Sequence, residues 1–248
     1  MPRARHAATL VALCVSAVLA LPAPAAPSGP ARQSASPFAP TRAKAHIAQV
    51  LLPTAARARP AGGAVVARLG TSAPWNGGPV GLLVLDSRIV DGKGRWLRVL
   101  LPQRPNGRSG WIVAAHVDLT ATAYRVEVSL AQRRLRILRA GRVIHHTPLV
   151  VGAPATPTPR GLFAVAERVR QPDPTAFLGP WALHLTSFST VFENFGGGAG
   201  RVAIHGRNGA SFADPLGTAS SNGCLRVPNA TVLLLARHAR EGTPVAVT

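Results

Sequence analysis

The 248-residue chain carries 28 Lys and Arg against nine Asp and Glu, a net charge of +19, with 47% apolar residues and two cysteines. Its length is ample for one large core or two small ones, and two cysteines exclude a disulfide framework. The arginines are scattered and aromatics are few, so no stacking platform or basic recognition helix for nucleic acid is present; the charge points to an acidic extracellular partner, tempered by an arginine bias in which only Lys44 and Lys93 are lysines.

Arg3, Arg5 and His6 form a basic head, Ala7 to Ala20 an uncharged apolar run, and Ala23 and Ala25 a small-residue exit, so residues 1–25 read as a secretory signal peptide. The apolar run is shorter than the roughly 20 residues a spanning helix needs. Cys14 lies within it, without the small preceding residue a lipoprotein signal requires, and is expected to leave with it. The mature protein is then exported to the cell envelope with one thiol, Cys224, and no transmembrane segment. Residues 26–45, rich in Pro, Ala and Ser, predict a flexible linker.

From His46 to Leu119 short apolar runs (IAQVLLP, AVVARL, VGLLVLDSRIV, RWLRVLLP, GWIVAAHVDL) alternate with turn signals such as Asp91-Gly92-Lys93-Gly94 and Asn106-Gly107. This spacing predicts a small all-β barrel, with Trp96 and Trp111 as core residues rather than ligand-stacking ones. Thr120 to Ala123 form a short joint. Beyond it Tyr124, Val126, Val128 and Leu130 alternate with polar residues as a half-buried strand, followed by a return strand at Leu135 to Leu138 and a third in VIHHTPLVVG. Strands at GLFAVAERV, RVAIH and PVAVT follow, with one helix in ATVLLLARHAR, N-capped by Asn229 and with Gly242 past its end. The fold class expected is mainly β: a small barrel, then a second β domain over 124–248 with one packed helix.

His205 closes the apolar strand RVAIH, and Cys224 follows Asn222-Gly223 and precedes Leu225-Arg226. The polar, glycine-rich segment between them can bring its ends together at modest entropic cost. A thiol with a pKa of about 8.5 is a poor nucleophile at neutral pH unless an imidazole or cation assists. His205 can take its proton, Arg226 can lend charge, and Gly223 can let neighbouring amides converge as an oxyanion hole. On these residues alone a small buried structural cysteine remains the alternative. No Cys/His spacing implies a metal or other cofactor, and His145-His146 would alternate faces on a strand.

Three stretches carry a resemblance. IHG, a polar loop and SNGCLRV resemble the signature of the L,D-transpeptidases with a YkuD-type catalytic domain; PATPTPRGLF and YRVEVSLAQRRLRILRAGRVI resemble that family's Thr-Pro segment and opening hairpin. DGKGRWLRVLLPQRPNGRSGWI with AAHVDL resembles bacterial Src-homology-3-like domains, covering 46–119. The family resemblance, from Tyr124 to Thr248, implies a β-sandwich in which Cys224 is the acyl-enzyme nucleophile, His205 its base, and Gly223 with Cys224 part of the oxyanion hole. Arg226 either orders the site or meets a substrate carboxylate; Asn222, Ser221 and His184 are further substrate-site candidates. Asn222 stands where many members have histidine and cannot act as a base. The implied reaction is attack on the bond between meso-diaminopimelate and D-alanine of a peptidoglycan stem, then transfer to a neighbouring stem's amine. Rival readings are an L,D-carboxypeptidase with the same nucleophile and a non-catalytic wall-binding protein; ionic association with anionic wall polymers is the further partner expected.

Overall fold

The computed structural model of the protein describes Met1 and residues 36–248. Apart from Met1, the expected signal peptide lies outside the described residues, as do the first ten residues of the expected linker. Residues 36–44 are docked chain rather than free spacer: the Phe38 ring tilts onto His46 with centroids 4.6 Å apart, and Arg42 pairs with Glu127 at 2.8 Å.

Seven strands come first: β1 (Ala45–Val50), β2 (Thr54–Arg59), β3 (Gly62–Leu69), β4 (Gly81–Val90), β5 (Gly94–Leu100), β6 (Ser109–Val113) and β7 (Val117–Thr122). They form one sheet in the order β3-β2-β6-β5-β4-β1-β7. Ala48, Val50, Leu82, Val84, Leu97, Val99 and Ile112 make its core. Strand β2, TAARAR, carries none of the large apolar or β-branched alternation that marks a strand and was not expected; it forms because β3 and β6 pair with it. Trp111 is buried, and Trp96 is half-buried with its indole N–H donating to the Lys93 carbonyl at 3.1 Å.

The rest comprises β8 (Tyr124–Ser129), β9 (Arg134–Arg139), β10 (Arg142–Pro148), β11 (Val151–Gly152), β12 (Gly161–Arg170), β13 (Trp181–Phe188), β14 (Arg201–His205), β15 (Ala219–Ser221), β16 (Leu225–Arg226), the helix α1 (Asn229–His238) and β17 (Pro244–Val247). Eight of these strands form a sheet in the order β10-β9-β8-β17-β12-β13-β14-β16, while β11 and β15 make a separate two-stranded parallel ladder. The expected continuous strand VIHHTPLVVG is thus divided between β10 and β11. Val232, Leu235 and Ala236 of α1 pack into a core with Val126, Ile137, Phe163, Leu183 and Ile204. No described helix is long and apolar enough to cross a membrane.

Two expectations of detail are corrected. The helix is preceded by Pro228, and Asn229 is its first residue; the Asn229 side chain does not cap but accepts from the Arg207 N–H at 2.8 Å, in a niche where a Cβ on Gly206 would sit 2.4 Å from its oxygen. The four-residue joint is also absent. Thr120, Ala121 and Thr122 belong to β7, pairing with Ile47, His46 and Ala45, so Ala123 alone separates the sheets.

The two sheets meet closely. Ala45, Leu83 and Leu100 of the first share a small apolar cluster with Ala164 of the second. Asn106 donates to the Phe188 carbonyl and accepts from its N–H, both at 2.8 Å. Glu167, 2% exposed, accepts from the backbone N–H groups of Trp75 at 2.8 Å and Asn76 at 2.5 Å. A buried carboxylate is tolerated only with such donors. Here the first sheet's connecting loop supplies them.

Candidate active site

Strands β13, β14 and β16 lie side by side, and their register assembles the site. Ala182 faces His205 and His184 faces Ala203 across the antiparallel pair; Ile204 faces Leu225 and His205 faces Arg226 across the parallel one. Because side chains alternate along a strand, His184, His205 and Arg226 share one face while Leu183, Ile204 and Leu225 enter the core. Cys224, one residue ahead of β16, is half-buried with its thiol at the backbone of Ala203 on that same face.

The Nδ1–H of His205 donates to the Gly206 carbonyl at 2.7 Å. A carbonyl can only accept, so this bond selects the tautomer and leaves the Nε2 lone pair free as a base. His205 is 1% exposed. Burial above all lowers its pKa to about 4, with Arg226 and His184 adding to the effect and the Gly206 carbonyl opposing it. Burial raises the Cys224 thiol, outweighing the Ala203 hydrogen bond and the Arg226 charge. The thiol and the imidazole therefore both rest neutral. Desolvation dominates both groups.

Arg226 explains part of this. It is 6% exposed, forms an ion pair with Asp214, and its guanidinium lies 4.8 Å from the Phe177 ring centre. Of the two roles weighed for it, the geometry favours ordering the site over meeting a substrate carboxylate. Burial pushes the Asp214 carboxyl up, but Arg226, Ser220 and Arg207 together hold it below the ordinary range. Arg207, also buried, donates to the carbonyls of Ser211, Phe212 and Asp214. Two arginines thus wind the His205–Cys224 segment around themselves. It contains a short 3-10 turn at Gly209–Ala213, closed by reciprocal Asn208–Ser211 bonds, where neither helix nor strand was expected.

The turn that carries Cys224 is braced by the Thr-Pro loop. Ser221, 1% exposed, donates its hydroxyl to the Cys224 carbonyl at 2.6 Å and accepts from the Gly223 N–H at 3.1 Å. Thr156 donates to the Ser221 carbonyl at 3.0 Å, and Thr158 donates to the Gly223 carbonyl at 2.8 Å while accepting from the Gly152 N–H at 2.9 Å. A Cβ at Gly152 would lie 2.4 Å from both Thr156 O and Thr158 N, so only glycine lets these segments approach. Gly223 has φ +110°, a conformation that disfavours other residues. Its N–H, expected in an oxyanion hole, is engaged by Ser221 in this state.

Asn222 is exposed at the turn's tip. His184 is half-buried, with its ring 4.2 Å from that of Trp75, and burial followed by Arg201 lowers its pKa to about 4. His145 and His146 diverge, one to Thr231 and the other to Arg134, both at 3.0 Å. Sequence reasoning missed Asp214, Arg207 and the bracing roles of Thr156 and Thr158. Asp214 had a signal, being the only acid between His205 and Cys224. Trp75 had none, because nothing local ties it to a strand some 110 residues away in the chain.

Residues 123–247 match the model of the YkuD family, the L,D-transpeptidase catalytic domain. The YkuD protein of Bacillus licheniformis is 38% identical over 125 residues, covering 50% of this chain and 66% of that protein. That of Bacillus subtilis is 32% identical over 124 residues, covering 50% and 65%. The chain thus spans just under two thirds of the length of these curated relatives. An L,D-transpeptidase structure from Mycobacterium smegmatis aligns with a TM-score of 0.40 at 13% identity, over 62% of this chain and 90% of that one. With half of its length matched by the family model, and with the paired His205 and Cys224 motifs inside that half, the chain belongs to the YkuD family of L,D-transpeptidase catalytic domains.

Proposed function

We propose that the protein is an exported cysteine L,D-transpeptidase that cross-links peptidoglycan through an acyl-enzyme. Cys224 Sγ attacks the carbonyl of the bond between meso-diaminopimelate and the terminal D-alanine of a stem peptide, as His205 Nε2 takes the thiol proton. The imidazolium then returns that proton to the departing D-alanine amine, leaving a thioester on Cys224. An acceptor amine from a second stem attacks the thioester, loses its proton to His205, and the thiol is re-formed with that proton. Amides of the Gly223–Cys224 turn polarise the carbonyl, that of Gly223 once Ser221 releases it. Proton transfer accompanies attack instead of preceding it, because both groups rest neutral.

The observation that carries this reading is the strand register that sets His205, Arg226 and Cys224 on one face with Nε2 unprotonated. The test is incubation of the purified protein with disaccharide-tetrapeptide, followed by mass spectrometry. A cross-linked dimer with loss of D-alanine is expected. Monomeric tripeptide would make the enzyme a carboxypeptidase, and unchanged substrate over a range of acceptors would overturn the enzymatic reading.

The domain assignment belongs to the same proposal: a signal peptide at 1–25, a Src-homology-3-like barrel at 46–119 and the catalytic domain at 124–248. It is supported by the separate cores of the two sheets. Arg134 and Arg136, on one face of β9, offer a surface for anionic wall polymers.

A further inference from the structure

The loop between β3 and β4 is folded on itself, with Ala73 N–H bonded to the Gly78 carbonyl at 2.8 Å and Ser72 bridged to Pro79. It reaches across to the second sheet. Glu167 grips its backbone at Trp75 and Asn76, and the Asn76 amide donates to the Arg168 carbonyl at 2.7 Å. These bonds hold the Trp75 indole against His184 while leaving the residue 46% exposed. The Arg201 guanidinium lies 5.2 Å from the Trp75 ring centre.

Trp75, His184 and Arg201 line a cavity of about 400 Å3, whose other walls include Leu178, Phe195 and Gly197. Gly196 and Gly197 take φ of +57° and +80°, and nothing lies within 4 Å of a Cβ at either. His184 faces Ala203, and the Cys224 thiol lies at the backbone of Ala203 from the other side. Two strand spacings of about 5 Å put the cavity roughly 10 Å from the thiol. A chain whose reacting carbonyl is at Cys224 and whose far part meets Trp75 spans about three extended residues. That is the length of a stem peptide.

We infer that Trp75, contributed by the N-terminal sheet, is a substrate-binding residue of the thiol site, seating with Arg201 a carboxylate-bearing residue of the peptide two or three positions from the bond attacked. The chemistry fits: an indole face supplies a broad apolar platform, and a guanidinium with unused donors attracts an anion and repels a cation. The buried Arg201 Nε has no partner, and the Nη groups make only long bonds, 3.4 Å to the Leu185 carbonyl and 3.2 Å to the Pro102 carbonyl. The first sheet is on this view part of the active site as well as a neighbour of it. The inference rests on the peptide-acting reading above.

Calorimetry on the full chain in a Cys224→Ala background, with the tetrapeptide stem as titrant, tests it apart from turnover. Trp75→Ala should weaken binding about ten-fold, Trp75→Phe should recover all but two- to three-fold of that, and a carboxamide version of the peptide should bind the Trp75-intact protein more weakly. In parallel, the rate at which iodoacetamide alkylates Cys224 should agree within about two-fold between the Trp75→Ala and wild-type chains. Equal peptide affinity with and without Trp75, or alkylation that changes in step with binding, overturns the inference. Peptide binding that depends on Trp75 without turnover by the wild type would sink the transpeptidase reading and leave this one standing; turnover that ignores Trp75 would do the reverse.

Discussion

The hydroxyl of Ser221 clasps the turn that carries Cys224: it donates to the Cys224 carbonyl at 2.6 Å and accepts from the Gly223 N–H at 3.1 Å. Removing it leaves a buried donor and a buried acceptor unpaired, at about 1–3 kcal/mol. Ser221→Ala should therefore lower the melting temperature and slow acylation of Cys224 by the tetrapeptide stem. Asn222→Ala, at the exposed tip, should change stability by no more than about 0.5 kcal/mol. Parallel thermal melts and intact-mass time courses would show the contrast; equal effects would remove the clasp's special role.

Thr158 offers a cleaner probe of the brace, because valine has the same shape. Thr158→Val deletes the bonds to Gly152 and Gly223 without opening a cavity. We expect a loss of about 1–3 kcal/mol in urea denaturation. A midpoint unchanged from wild type would mean the Thr-Pro loop does not hold the Cys224 turn.

The neutral resting pair predicts a pH profile. With the Cys224 thiol raised by burial, its alkylation rate should rise only above the free-thiol pKa of about 8.5. An inflection below pH 7 would instead mean a preformed thiolate. His205→Ala should nonetheless reduce acylation by the tetrapeptide stem at pH 7 by about 10²- to 10⁴-fold, since the base is needed during attack.

Acid should destabilise the protein through the same histidine, with His184, lowered likewise by burial, adding a second contribution. His205 has its pKa lowered from 6.5 to about 4 in the folded chain, so between those values the unfolded state binds more protons. Stability present above pH 6.5 is lost as pH falls toward 4, by up to roughly 3 kcal/mol from this group. His205→Asn should flatten that part of the stability profile measured by denaturant melts at stepped pH. An equally steep fall in the variant would assign the acid sensitivity elsewhere.

Residues 124–248 own the larger core, so the fragment should still melt cooperatively. It loses the cluster around Ala164, the donors to Glu167 and the Arg42–Glu127 pair. Its midpoint should fall by at least about 5 °C relative to the full described chain, read by calorimetry. Equal midpoints would make the interface energetically idle.

Much of the site was legible because its parts are local. The alternation in RVAIH, the Asn-Gly before Cys224 and the apolar period of α1 each follow from a few adjacent residues, and the motif spacing pointed to the family before any coordinates. What lay beyond reach depends on partners distant in the chain. TAARAR becomes a strand only because β3 and β6 pair with it, and Asn229 leaves its expected cap because Gly179 and Gly206 open a niche beside it. The same holds for chemistry. Sequence determined that a thiol, an imidazole and a guanidinium belong together; the packed interior alone decided that burial holds the first two neutral, that the third pairs with Asp214, and that a tryptophan from the other sheet stands against His184.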